Sequence, residues 1–358
     1  MRGRWSCVIR VLVVDDSALI RRLISSALSE AEDIEIVGTA RDGLEAVDMV
    51  DDLRPDVVTL DIEMPRLDGL GALQRIREKH RRLPVIMFST LTERGAAATL
   101  EALSRGASDY VTKPSNTGSV AEGLASVRNQ LVPRIRALAG RSTIIAQAAP
   151  PVRRTPVAKP AAGAPQVLLI GSSTGGPDAL ATVLGQLPAD LGVPVLIVQH
   201  MPPVFTTMLA QRLDRISPLT VREAVDGDVP RAGEALLAPG DFHVRLTAVP
   251  GGARVRLDQG PQENFCRPAV DVLFRTAAEV YGGRVVATVL TGMGQDGLEG
   301  VRLLSARGAR VLVQDEATSV VWGMPGAVAH AGLADETVPL AEVPGRAVAA
   351  VRGSLLAR

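Results

Sequence analysis

Short apolar runs alternate with stretches of helical spacing over the first third of the chain. The short runs are Val8 to Val14, Ile34 to Thr39, Asp56 to Leu60, Pro84 to Ser89 and Ser108 to Val111. This alternation predicts right-handed βαβ units and a five-stranded parallel sheet covered on both faces. From about Gly140 to Pro165 the apolar pattern fades into Pro150, Pro151, Pro156, Pro160 and Pro165, spaced by alanines and by Arg153-Arg154. So little apolar surface behaves as a semi-extended linker. The expected organisation is a first domain over residues 8–126, a connecting helix and linker over 127–165, and a second domain over 166–358.

In the second half, buried-strand patterns recur at Val167 to Ile170, Val193 to Gln199 and Arg284 to Leu290. Each runs into a turn, and the first and third turns are glycine-rich and lead into helices. Pro239 to Val244 opens a hairpin that turns at Pro250-Gly251-Gly252. The fold class expected is again α/β, a doubly wound and mostly parallel sheet.

Composition narrows the possibilities. The 358 residues suffice for two domains, and 39 basic against 39 acidic residues leave no net field to attract nucleic acid or an anionic membrane. Aromatic residues are only 3%, too few for single-strand stacking platforms. No apolar stretch approaches the roughly 20 residues that span a bilayer. Two cysteines, Cys7 and Cys266, make no disulfide framework. A reducing, cytoplasmic setting without membrane insertion is expected.

Past the strand ends of the first domain lie Asp15, Asp16, Asp61, Ser89 and Lys113, at the edge where open parallel sheets bind ligands. Gathered carboxylates repel one another unless a cation joins them, and a hard divalent ion with oxygen ligands, Mg²⁺ above all, suits them. Lys113 and Ser89 could meet phosphoryl oxygens placed on Asp61. Helix capping by Asp16 or Ser17 is the simpler explanation for single residues of this set.

In the second domain, Gly171-Ser172-Ser173-Thr174-Gly175-Gly176 is a strand, a glycine turn and a helix start. It has two explanations: a nucleophile elbow around Ser173, or a phosphate cradle. His200 and Asp296 follow two other strands at the same edge, so nucleophile, base and acid converge there. A serine needs an imidazole to take its proton, and that imidazole needs a carboxylate to orient it. The triad Ser173, His200 and Asp296 is therefore preferred. Of the four histidines, His243 is the main rival base, while His80 and His330 suit solvent or the core edge.

Val13 to Ser17, Leu60 to Pro65 with Asp68-Gly69, Ser89, and Tyr110 to Pro114 together resemble a response-regulator receiver domain. The resemblance implies a flavodoxin-like fold, phosphorylation of Asp61 by a histidine kinase, Mg²⁺ held by Asp15, Asp16 and Asp61, and a switch residue at Tyr110 alongside Ser89 and Lys113. The elbow, Gln199 to Pro202, Ala238-Pro239-Gly240 with His243, Arg267 to Phe274, Thr291 to Gly297, Gln314 to Glu316 and Gly323 to Pro325 resemble the catalytic domain of the chemotaxis receptor methylesterase family. That likeness implies Ser173, His200 and Asp296 as the triad and backbone near Met293 at the oxyanion. Its implied substrates are γ-glutamyl methyl esters and particular glutamines of chemoreceptors.

The expectation is thus an esterase held in check by its receiver until Asp61 is phosphorylated. The alternative is a non-enzymatic response regulator whose second domain is a binding module. It is disfavoured because the second half has neither a concentrated basic patch nor a Walker lysine.

Overall fold

A computed structural model describes residues 8–114, 119–140 and 163–353; of the connecting helix and Pro/Ala linker expected over 127–165, most of the Pro/Ala part lies outside them. The chain divides into two compact units, residues 1–143 and 144–358.

In the first unit, strands β1 (Ile9–Val14), β2 (Ile34–Ala40), β3 (Val57–Asp61), β4 (Val85–Ser89) and β5 (Asp109–Thr112) alternate with helices α1 (Ala18–Ser29), α2 (Gly43–Leu53), α3 (Gly69–Lys79), α4 (Glu93–Ser104) and α5 (Val120–Leu138). The sheet is parallel throughout, in the order β2-β1-β3-β4-β5. This is the five-stranded parallel sheet the sequence predicts, with each strand within about a residue of its expected place. Every residue of β3 and β4 is buried, which is why these strands read as unbroken apolar runs.

Local chemistry fixes the helix starts: Ser17, Asp42, Asp68 and Thr92 each cap the helix that follows by accepting backbone N–H groups. Ser17 therefore performs the capping role, and Asp16 stands exposed at the sheet edge. Val127, Leu131 and Ile135 of α5 pack in one core with β1 and α1, so the core of this unit continues past residue 126.

The second unit opens with β6 (Val167–Ser172), α6 (Gly176–Leu184), β7 (Val195–Gln199), α7 (Phe205–Asp214), β8 (Thr220–Glu223) and β9 (Glu234–Leu237). A hairpin, β10 (His243–Val249) and β11 (Gly252–Asp258), precedes α8 (Val270–Tyr281) and β12 (Val285–Val289). The chain then forms α9 (Leu298–Ala306), β13 (Arg310–Gln314), α10 (Met324–His330), β14 (Glu336–Val338) and α11 (Val343–Val351).

Seven of these strands make one parallel sheet in the order β14-β13-β12-β6-β7-β9-β8, and the hairpin forms its own antiparallel sheet. From β6 the chain builds outward first through β7 and then, on the other side, through β12. The strand order therefore reverses between β6 and β12, and the crevice at such a reversal is where doubly wound sheets bind ligands. β6, β7 and β12 are buried along their whole lengths, so the first polar residues after them are held at that crevice by the core.

Candidate active site and phosphoacceptor site

The elbow is built by three contacts between neighbouring strands. Ser172 pairs with Gln199 across β6 and β7, and the His200 N–H donates to the Ser172 carbonyl at 3.1 Å. On the other side, the Ser173 N–H donates to the Thr291 carbonyl at 3.0 Å. Gln199 completes the frame: its Oε1 accepts from Ser172 Oγ at 2.7 Å and its Nε2 donates to the Ser173 carbonyl at 2.9 Å. Ser172 is thereby fully buried with its hydroxyl engaged, whereas Ser173 is half-buried. Gly175 sits at φ 76°, a left-handed conformation that lets the chain turn from the elbow into α6 without steric cost.

His200 Nε2 lies 2.7 Å from Asp296 Oδ2. Asp296 is 2% exposed, and its carboxylate is held by a full set of donors. Oδ2 accepts the Val270 N–H at 2.6 Å; Oδ1 accepts the N–H groups of Asp271 at 3.0 Å and Gly297 at 2.9 Å, and Asn264 Nδ2 at 2.9 Å. The first two of these N–H groups belong to the buried start of α8, where they have no partner within the helix and a carboxylate is favoured. Burial pushes Asp296 upward, but the His200 hydrogen bond and these backbone donors outweigh it and keep the carboxyl below its usual range. Its neighbour Asp271 goes the other way: burial, with the Asp296 charge, raises it.

The other nitrogen of His200, Nδ1, is 3.4 Å from Cys266 Sγ. Burial alone would push His200 down, yet the neighbouring Cys266 sulfur and the bond to Asp296 raise it to about 10. No hydrogen bond reaches Ser173 Oγ among the described residues; the pair brought into direct contact is His200 and Asp296. His243 is buried with both ring nitrogens committed, Nε2 to the Pro261 carbonyl at 3.0 Å and Nδ1 to the Ala269 N–H at 3.2 Å. Both of these partners are main-chain groups, so no carboxylate hydrogen-bonds its ring as Asp296 does that of His200. His80 pairs with Asp51, and His330 sits edge-on to Trp322.

Gly292 carries the turn past Ser173 so closely that a Cβ there would lie 2.9 Å from Ser173 Cβ. The adjacent Met293 N–H has no acceptor among the described residues. The sequence does not assign the roles of several members of this constellation. Gln199 and Gln314 are side-chain amides ending apolar strands, and Gln314 Oε1 takes the Thr291 N–H at 2.8 Å. That pattern was available as a signal. Asn264 and Cys266 offered none, since they reach the site from a loop without periodicity.

In the first unit, one carboxylate oxygen each from Asp15, Asp16 and Asp61 lies within 4.8 Å of the others. Lys113 Nζ bridges Asp15 Oδ2 at 2.9 Å and Asp61 Oδ1 at 2.8 Å. Burial and the Asp15 charge push Asp61 up to about 6, and burial likewise raises Asp15. For Lys113, burial works downward but its hydrogen bonds to Asp61 and Asp15 prevail and raise it. Three clustered oxygen donors, two of them buried, are the ligand chemistry of a hard divalent cation. Ser89 is buried at the end of β4 with Oγ donating to the Gly95 carbonyl at 3.1 Å, and Tyr110 is buried on β5.

Two family models match the chain. Residues 168–347 match the CheB methylesterase model and residues 11–124 match the response regulator receiver domain. The chain belongs to the CheB methylesterase family. A protein-glutamate methylesterase/protein-glutamine glutaminase of Nocardioides sp. is 54% identical over 343 residues, covering 94% of this chain and 93% of the relative. One from Trichodesmium erythraeum is 48% identical over 92% of this chain and 96% of its own length. The crystal structure of the Thermotoga maritima CheB methylesterase catalytic domain superposes with a TM-score of 0.51 at 43% identity, covering 51% of this chain and 97% of that one. These matches favour the enzyme over the binding-module alternative for the second unit. No helix among the described residues is long and apolar enough to cross a membrane.

Proposed function

We propose that this chain is a protein-glutamate methylesterase and protein-glutamine glutaminase whose turnover is raised by phosphorylation of Asp61. The observation that carries the hydrolase is the His200 Nε2 to Asp296 Oδ2 contact of 2.7 Å, anchored by backbone hydrogen bonds beside Ser173. Ser173 Oγ attacks the γ-carbonyl carbon of a methylated receptor glutamate and gives its proton to His200. Because Nε2 faces Asp296, the accepting nitrogen is Nδ1, the reverse of the usual serine-protease arrangement. The carbonyl oxygen becomes an oxyanion, for which the Met293 N–H is the donor at hand. Collapse expels methanol, protonated by His200; with a glutamine substrate, ammonia leaves. Water then enters by the same proton route and frees the γ-carboxylate and Ser173.

In the receiver, Asp61 accepts a phosphoryl group from the phosphohistidine of a kinase. Mg²⁺, held by Asp15, Asp16 and Asp61, would neutralise charge on the transferring phosphoryl oxygens. Lys113, between two carboxylates, is placed to pair with a phosphoryl oxygen once Asp61 is modified, and Ser89 with another; Tyr110 is the residue through which that change reaches the surface. The partners are accordingly a chemotaxis histidine kinase and the cytoplasmic helices of methyl-accepting chemoreceptors.

Methanol release from membranes bearing methylated chemoreceptors tests the proposal. The native protein should release methanol, faster with a small-molecule phosphodonor, and Ser173→Ala should release none. Saturable nucleotide binding without ester turnover would instead support the binding-module alternative.

A further inference from the structure

Phe265 occupies a position that the fold itself does not favour. Glu263 and Cys266 close a two-residue turn with backbone hydrogen bonds of 3.1 and 2.8 Å, and the residues between them, Asn264 and Phe265, have φ of 52° and 62°. Turns with both central residues left-handed favour asparagine followed by glycine. Asn264 suits the first place; a bulky phenylalanine in the second is a steric outlier. Burial offers no compensation, because Phe265 is 96% exposed. A residue that strains the backbone and buries nothing points to a role outside folding.

The turn is fixed to the reaction centre on both sides of that ring. Asn264 Nδ2 bonds Asp296 Oδ1 at 2.9 Å, Cys266 Sγ is 3.4 Å from His200 Nδ1, and Glu263 is clamped by both terminal nitrogens of Arg275 at 2.8 and 2.6 Å. Val320 is a second exposed apolar side chain, and it lies against Gly175 of the elbow. Two apolar side chains thus stand at the rim, one attached to the base and acid, the other to the nucleophile turn.

We propose that Phe265 is a substrate-docking residue that packs on an apolar side chain one turn away from the esterified glutamate on a receptor helix. Residues three or four apart share a helix face, so a helix presenting its ester to Ser173 also presents such a neighbour. Phe265 then discriminates helical polypeptide substrates from small esters. This role rests on the esterase activity proposed above.

The test compares full-length native protein, Phe265→Gly and Phe265→Tyr, each with a phosphodonor, on methylated receptor membranes and on N-acetylglutamate γ-methyl ester. Phe265→Gly should melt roughly 2 to 4 °C higher, as the turn loses its strain. Its KM for receptor should rise about tenfold with kcat unchanged, since one anchoring ring is lost. Hydrolysis of the small ester should change less than twofold, and Phe265→Tyr should keep the native KM. An unchanged receptor KM overturns the docking role, including the case where only the response to the phosphodonor changes. Equal losses on both substrates overturn it too, by showing that the ring merely supports the triad. Failure of the native protein to hydrolyse either ester would be a separate result, overturning the esterase and the docking role together.

Discussion

Asp296 offers His200 one oxygen and gives the rest of its hydrogen-bonding capacity to the protein, with five donors converging on a single buried carboxylate. They are His200 Nε2, the N–H groups of Val270, Asp271 and Gly297, and Asn264 Nδ2. The proposed acid is therefore also a structural tie between the turn after β12 and the start of α8.

That double role separates two inactive variants. Asp296→Asn must aim an amide NH₂ at backbone N–H donors whichever way it lies, so it should lower stability by about 1.5 to 3 kcal/mol as well as turnover by roughly 10⁴-fold. Ser173→Ala should lose as much activity at an unchanged Tm, and His243→Gln should remain active. Calorimetry beside ester assays reads both properties.

The surroundings of His200 set the pH dependence. To take the Ser173 proton in the proposed mechanism the imidazole must be neutral, and the neighbouring Cys266 sulfur with the Asp296 hydrogen bond raises it to about 10. Log kcat/KM should therefore keep rising with pH well above the usual imidazole range near 6.5. Cys266→Ala removes the sulfur beside Nδ1 and should shift the rising limb to lower pH. An identical profile in the variant would show that Cys266 leaves the base untouched.

Gly292 measures how tightly the elbow is packed. A Cβ at this position would come 2.3 Å from Met324 Sδ and 2.9 Å from Ser173 Cβ, so Gly292→Ala should displace the nucleophile. Misplacement on the ångström scale costs about a hundredfold in kcat. The expected outcome is a folded protein with that loss, checked by turnover beside circular dichroism.

The proposed regulation turns on Asp61. Asp61→Asn, or chelation of divalent metal, should abolish the phosphodonor response and leave the unstimulated rate in place. A response that survives Asp61→Asn would locate the phosphoacceptor elsewhere.

Much of this was legible because buried parallel strands announce themselves as apolar runs, and the first polar residue after each run marks the binding edge. Asp15, Asp61 and His200 could be located in this way, Ser173 from the glycine turn around it, and the β10–β11 hairpin from Pro250-Gly251-Gly252. β8 and β9 are four residues each, as β5 is, but no helix separates them, so the strand–helix alternation that marks β5 is missing there. Asn264 and Cys266 were equally so: they act on Asp296 and His200 across 32 and 66 residues of sequence from a non-periodic loop. Whether His200 would face Asp296 with Nε2 or Nδ1 depends on that loop, and strand patterns hold no information about it.

The central claim is that Ser173 carries the acyl group during turnover. Acid-quenching the protein during hydrolysis of a γ-glutamyl methyl ester peptide, followed by digestion and tandem mass spectrometry, reads the acylated residue directly. The γ-glutamyl adduct should map to Ser173 and vanish in Ser173→Ala. An adduct on Ser172 or on Cys266 would contradict the account.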